Sequence, residues 1–177
     1  MNVKFLNPFL EAAADVLHAE ANLSSNRGNL SLQKSSLTGS EVTVLISIIG
    51  QVQGVVLFGM STPTSLAIVS RIVDQQFDEL NGLAQSGIAE LGNVISGKAT
   101  INLSNSGYQA TISPPTLIIG RGAQISTLDF SRIVVPLETK VGPFIIHLAV
   151  REVLEIPAAG IGPLVASAKV SPQVPEA

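Results

Sequence analysis

The sequence predicts an α/β chain of the α+β type: a single domain with helices packed on a largely antiparallel sheet. Three observations predict it. The hydrophobic period changes along the chain, from about 3.6 residues at the start to strand-like apolar runs, back to 3.6 in the middle and then to two. Gly50-Gln51 and Val141-Gly142-Pro143 supply hairpin chemistry between neighbouring apolar runs. A length of 177 residues suffices for one domain with a sizeable core. The expected domain is residues 1–155. Residues 156–177, with Pro157, Pro163, Pro172 and Pro175 among Ala, Gly and Ser, are expected to be a flexible tail.

Pro8 to Ala21 is the first predicted helix, with Asn7 as its cap and Leu10, Ala13, Ala14 and Leu17 on its apolar face. Ser24 to Asn29 reads as a loop. Leu30 to Leu37 suits an edge strand, and Thr38-Gly39-Ser40 a turn. Val42 to Ile49 and Val52 to Met60 are richer in apolar residues and suit the centre of a sheet. A second helix opens at Thr62-Pro63, with Thr62 as its cap and Pro63 at the first position, and runs to Val73. After the polar break Asp74 to Glu79, a long helix runs from about Asn81 to Asn105, stopped by Ser106-Gly107. Gln109 to Ile112, Thr116 to Ile119, Ile125 to Glu138 and Phe144 to Leu154 then read as strands, the first two separated by Pro114-Pro115. The sequence shows no convincing internal repeat.

Composition excludes several function classes. The chain is 46% hydrophobic and only 13% charged, with a net charge of -3 and no basic cluster. Nucleic acid is therefore not an expected partner, since phosphates call for grouped Lys and Arg. With no cysteine, thiol catalysis, disulfides and thiolate metal sites are excluded. The first residues do not resemble a signal peptide, because Glu11, Asp15 and Glu20 interrupt any apolar region. Val42 to Met60 lacks charge, but Gly50, Gln51, Gln53 and Gly54 make it two buried strands rather than a membrane span. A cytoplasmic protein is expected.

Candidate chemistry is sparse. His18 and His147 stand alone, and no metal-ligating cluster or Gly-x-Ser-x-Gly elbow is present. Gly120-Arg121-Gly122 reads better as a loop than as a phosphate nest. The long helix is different. Ser86, Glu90, Asn93 and Gly97 fall on one stripe, opposite an apolar stripe of Ala84, Ile88, Leu91, Ile95 and Ala99. A Glu and an Asn one turn apart are common on exposed helices, and spacing alone does not distinguish them. Their surroundings do: the small residues Ser86, Ala89 and Gly97, and the scarcity of charge, suit docking against another macromolecule.

Ser86-Gly87-Ile88-Ala89-Glu90-Leu91-Gly92-Asn93 resembles the Asp/Ser-x-x-x-Glu-x-x-Asn signature of the CheC/CheX/FliY phosphatases of bacterial chemotaxis. The resemblance extends over most of residues 1–155, from Asn7-Pro8-Phe9-Leu10-Glu11-Ala12 through the paired strands and the Thr62-Pro63 helix to the strands after the long helix. CheC and FliY members typically carry two such motifs; the single motif makes the chain CheX-like. The resemblance implies hydrolysis of the aspartyl phosphate on a CheY-like response-regulator receiver. In that reading Asn93 orients the attacking water, Glu90 pairs with the receiver's lysine, and Ser86, Ala89 and Gly97 support the contact. It implies no cofactor of the protein's own, with Mg²⁺ carried by the receiver, and a homodimer joined at sheet edges. Two alternatives stay open: a non-catalytic interaction domain on the same scaffold, as in flagellar switch proteins, and, with less support, a small-molecule sensor.

Overall fold

The computed structural model describes residues 3–33, 37–125 and 131–153. A 3-10 turn at Val3–Phe5 leads into helix α1 (Leu6–Ala21). Strands β1 (Ser25–Arg27), β2 (Ser31–Gln33) and β3 (Leu37–Thr38) are short, whereas β4 (Val42–Gly50) and β5 (Val52–Met60) form a long hairpin. Helices α2 (Thr62–Val73) and α3 (Gly82–Asn105) follow. The chain continues through β6 (Ala110–Ile112), β7 (Thr116–Ile119), β8 (Gln124–Ile125), β9 (Arg132–Thr139) and β10 (Gly142–Glu152).

Every described strand pair is antiparallel, as the α+β expectation requires. The main sheet runs β1-β9-β10-β5-β4-β6, with β2 also on β9 and β7 also on β4, while β3 and β8 pair separately. This order is a palindrome. The elements α1 to β5 recur in the same succession as α3 and β6 to β10, with α2 between them. Each half lends its edge strand to the other half's hairpin. Both edge strands are broken by three residues, Gly28-Asn29-Leu30 in one and Ser113-Pro114-Pro115 in the other. The two halves share a succession of hydrophobic periods rather than a sequence, which is why no repeat is legible in the residues.

Alternation along the long strands sets which face is covered. Val42, Val44, Ile46 and Ile48 of β4 join Val56 and Phe58 of β5, Val135 of β9 and Ile146 and Leu148 of β10 in one core beneath the helices. Phe58 and Phe144 stack there at 5.5 Å between ring centroids. A second set of buried residues, including Thr43, Leu57, Arg132 and His147, lies on the opposite strand face.

Local chemistry differs from expectation at several ends. α1 begins one residue before Asn7, with Phe5 at the cap position and no side-chain cap bond, so Asn7 is not its cap. Pro8 still sits in the first turn, where an N–H would have no helical partner. The cap of α2 is Ser61 rather than Thr62; its Oγ accepts the Thr64 N–H at 3.2 Å. The expected loop at Ser24–Asn29 contains β1, because β9 offers it a ladder. The expected long strand Leu30–Leu37 is β2 and β3, with 34–36 outside the described residues, and Thr38 is strand rather than turn. Likewise Ile125–Glu138 divides into β8 and β9, with 126–130 outside the described residues. Lys140 and Val141 form the last hairpin turn, and Gly142 already pairs with Thr139. The 156–177 tail lies outside the described residues.

Candidate functional site

Helix α3 is anchored at both ends, along one flank and on its buried face. Asn81 caps it, its Oδ1 accepting the Ala84 N–H at 3.0 Å. At the far end Gly107 takes a φ of +89°, a conformation glycine adopts without a Cβ clash. The Gly107 N–H donates to Ser104 O and the Tyr108 N–H to Leu103 O, closing the last turn. Ala84, Ile88, Leu91, Ile95, Ala99 and Leu103 are buried against the core, as the periodicity predicts for the first five. Burying each large one is worth about 1.5–3 kcal/mol, so this row holds the helix in place.

The other two helices follow one another along one flank. Toward the C-terminal half, Lys98 Nζ lies 2.8 Å from Asp15 Oδ2 of α1, and Asn102 Nδ2 donates to Pro8 O at 3.3 Å. Toward the N-terminal half of the same flank, Gly87 leaves room for Val69 of α2: a Cβ at Gly87 would lie 2.6 Å from Val69 Cγ2. Gly92 plays the same part toward the sheet, where a Cβ would lie 2.7 Å from Val44 Cγ1. One face remains for solvent.

That face carries the sequence-predicted residues. Glu90 and Ser86 are exposed, and Asn93, Gly97 and Ala89 are half-buried. Asn93 Nδ2 donates to Glu90 Oε2 at 3.3 Å, so carboxylate and carboxamide are in mutual contact. The bond fixes which way the amide is turned and leaves its carbonyl oxygen free to accept. The Ser86 hydroxyl donates instead to Gly82 O at 2.9 Å, within its own helix. A Cβ at Gly97 would meet nothing within 4 Å, so the protein's own packing does not call for a glycine there. Glu90 and Lys98 are the only charged residues of α3, and Lys98 is engaged with Asp15; Glu90 is the sole charge on the open face.

The structure adds residues that the sequence reading passed over. The face is not bare: Leu83, Val94 and Ile101 are exposed by 52%, 40% and 62%. Their spacing from Glu90, at seven, four and eleven residues, was the available signal, since each falls within about 40° of it in helical projection.

The remaining candidates lie elsewhere. His18 is exposed near the end of α1. His147 is buried on the far side of the sheet; burial, with the Arg132 guanidinium adding to it, pushes its imidazole down to about 4. Gly120-Arg121-Gly122 forms a turn after β7, and Arg121 Nε pairs with Glu41 Oε1 at 2.7 Å. Among the described residues no three His, Cys, Asp or Glu side chains group as metal ligands, and no helix is long and apolar enough to cross a membrane.

Comparison with known proteins gives consistent matches. The sequence model of a family described as chemotaxis phosphatase CheX matches residues 42–138, which include all of α3. CheY-P phosphatase CheX of Thermotoga maritima is 26% identical over 128 residues, covering 72% of this chain and 83% of that protein. A CheC-like superfamily protein from Shewanella sp. PV-4 superposes with a TM-score of 0.78 at 27% identity, covering 85% of this chain and 99% of the other. The structure of a CheX–CheY–BeF3–Mg complex from Borrelia burgdorferi superposes with a TM-score of 0.72 at 26% identity, covering 85% and 100%.

Proposed function

The chain belongs to the chemotaxis phosphatase CheX family, and we propose that it hydrolyses the aspartyl phosphate of a CheY-like receiver domain through Glu90 and Asn93. The observation that carries this reading is the hydrogen-bonded Glu90–Asn93 pair on an open helix face that holds no other charge. Two relatives support the partner: one is a CheY-P phosphatase, and the other is held in complex with CheY, BeF3 and Mg.

An acyl phosphate is already reactive, so the protein's task is positioning. With Nδ2 held by Glu90, the Asn93 carbonyl oxygen accepts a hydrogen bond from a water and aims it in line at phosphorus. Attack by that water breaks the bond between phosphorus and the aspartate oxygen, releasing inorganic phosphate and the free carboxylate. Glu90 Oε1 remains to accept from the receiver's lysine while Oε2 holds Asn93. Ser86, Ala89 and Gly97 let the receiver approach closely. Mg²⁺ belongs to the receiver in this reading, and a cytoplasmic location is the one that fits a CheY-like partner. Homodimerisation would use the broken sheet edges, β1/β2 or β6/β7, whose outer backbone groups await a strand.

The test is the loss of phosphate from radiolabelled receivers of the same genome. The wild type should accelerate it for at least one receiver; no acceleration for any would end the reading. Asn93→Ala should cut the rate about 100-fold or more with receiver affinity retained, and full activity in that variant would remove the water-positioning role. Glu90→Ala should act chiefly on engagement, seen as a raised KM.

A further inference from the structure

We propose that Leu83, Val94 and Ile101 are the affinity-determining residues of this site, packing on apolar receiver surface that flanks the phosphorylated aspartate. The proposal rests on the phosphatase reading and divides its labour: Glu90 and Asn93 supply the chemistry, and the three apolar side chains supply much of the binding.

Placement is the first argument. In helical projection Leu83 and Ile101 lie within about 20° of Glu90, and Val94 within about 40° on the same side. Together they form a ridge about 27 Å long, from residue 83 to residue 101, with the reacting pair between its ends. Asn93, Ser86 and Gly97 occupy the parallel row. A partner that reaches Glu90 and Asn93 must therefore lie against the ridge as well.

The fold supplies the second argument, as an internal control. α1 is the counterpart of α3 in the palindromic topology, yet its exposed residues are Asn7, Glu11, Asp15 (paired with Lys98), His18, Ala19 and Glu20, with no large apolar side chain among them. That is a solvated face. Equivalent places in one fold carry charge on α1 and apolar bulk around a single carboxylate on α3. Lone exposed apolar residues are ordinary, but Leu30, Leu32, Ile49 and Ile119, the other large exposed ones among the described residues, belong to the strand region near the sheet edges. Among the described residues only α3 gathers three around a reactive pair.

Leu83→Gln, Ile101→Gln and the double variant test the proposal, since Gln keeps helix propensity and removes apolar contact. Two readouts apply to each receiver of the genome: kinetics on the phosphorylated form, and affinity for the form loaded with beryllofluoride and Mg²⁺. Each single variant should raise KM about tenfold and the double about a hundredfold, with kcat within about threefold and Tm unchanged. A double variant with wild-type KM and affinity would overturn the proposal and leave the phosphatase reading intact. If the wild type binds a receiver without hydrolysing it, the phosphatase reading falls and the affinity loss alone decides this one. If it binds none, both fall. If the double variant turns a dimer into a monomer by light scattering and receiver affinity does not change, the ridge joins copies of the chain and the proposal is wrong.

Discussion

Gly97→Ala separates what the fold needs from what docking needs. In the interior of an exposed helix face, Gly is about 1 kcal/mol less favourable than Ala, because it loses more backbone freedom on folding. A methyl group at this position meets nothing within 4 Å. The substitution should therefore stabilise the protein by about 0.5–1 kcal/mol and raise Tm by about 1–4 °C. Function should move the other way. Gly97 lies one turn beyond Asn93, about 6 Å along the axis. A methyl displaces a receiver backbone resting on the helix by about 1.5 Å, the length of a C–C bond, and a misplacement of about 1 Å can cost 100-fold in rate. The expected result is a hotter melt by circular dichroism with a 10- to 100-fold slower receiver dephosphorylation. Gly92→Ala and Gly87→Ala are the controls: their new Cβ atoms would lie 2.7 Å from Val44 Cγ1 and 2.6 Å from Val69 Cγ2, on stiff side chains. Both should lose about 1–3 kcal/mol by overpacking. A Gly97→Ala protein that is more stable and fully active would refute the close-approach argument; one that is less stable would refute the open-face geometry itself.

Three further perturbations bear on stability alone. The Ser96 hydroxyl is buried with no hydrogen-bond partner among the described residues, so Ser96→Ala should gain about 1 kcal/mol in urea unfolding. Burial holds the His147 imidazole at about 4, and the unfolded chain takes up the proton first as pH falls. Its stabilising contribution is therefore full above about pH 6.5 and declines toward 4, with about 2 kcal/mol lost between pH 7 and 5; His147→Leu should flatten that slope. Glu41 accepts the Thr62 N–H at 2.9 Å and Arg121 Nε at 2.7 Å, and these bonds hold its carboxyl below the usual carboxylate range. Its contribution is present above the ordinary carboxylate pKa and lost as pH falls through the folded value, so Glu41→Gln should lower Tm at pH 7 and matter progressively less in acid.

The sequence by itself determined whatever depends on local periodicity and on neighbours within a few residues. It placed α3 between Asn81 and Gly107, put Ala84, Ile88, Leu91, Ile95 and Ala99 inward, and set Glu90 and Asn93 on one face. The β4–β5 hairpin was equally legible, because Gly50 sits between two runs rich in apolar residues. Tertiary structure decided what depends on distant partners. Ser25–Arg27 is too short and polar to be a strand on its own; it becomes one because β9, more than a hundred residues away, offers a ladder. Of the three glycines Gly87, Gly92 and Gly97, only packing tells that Val69 and Val44 need the first two while the third faces open space. The ridge of Leu83, Val94 and Ile101 became visible for the same reason. α1, α2 and the sheet occupy the other sides of α3, so apolar residues that a bare sequence would assign to a core are left outside. A helical repeat fixes which residues share a face, but only the neighbours of the helix decide which face is left for a partner.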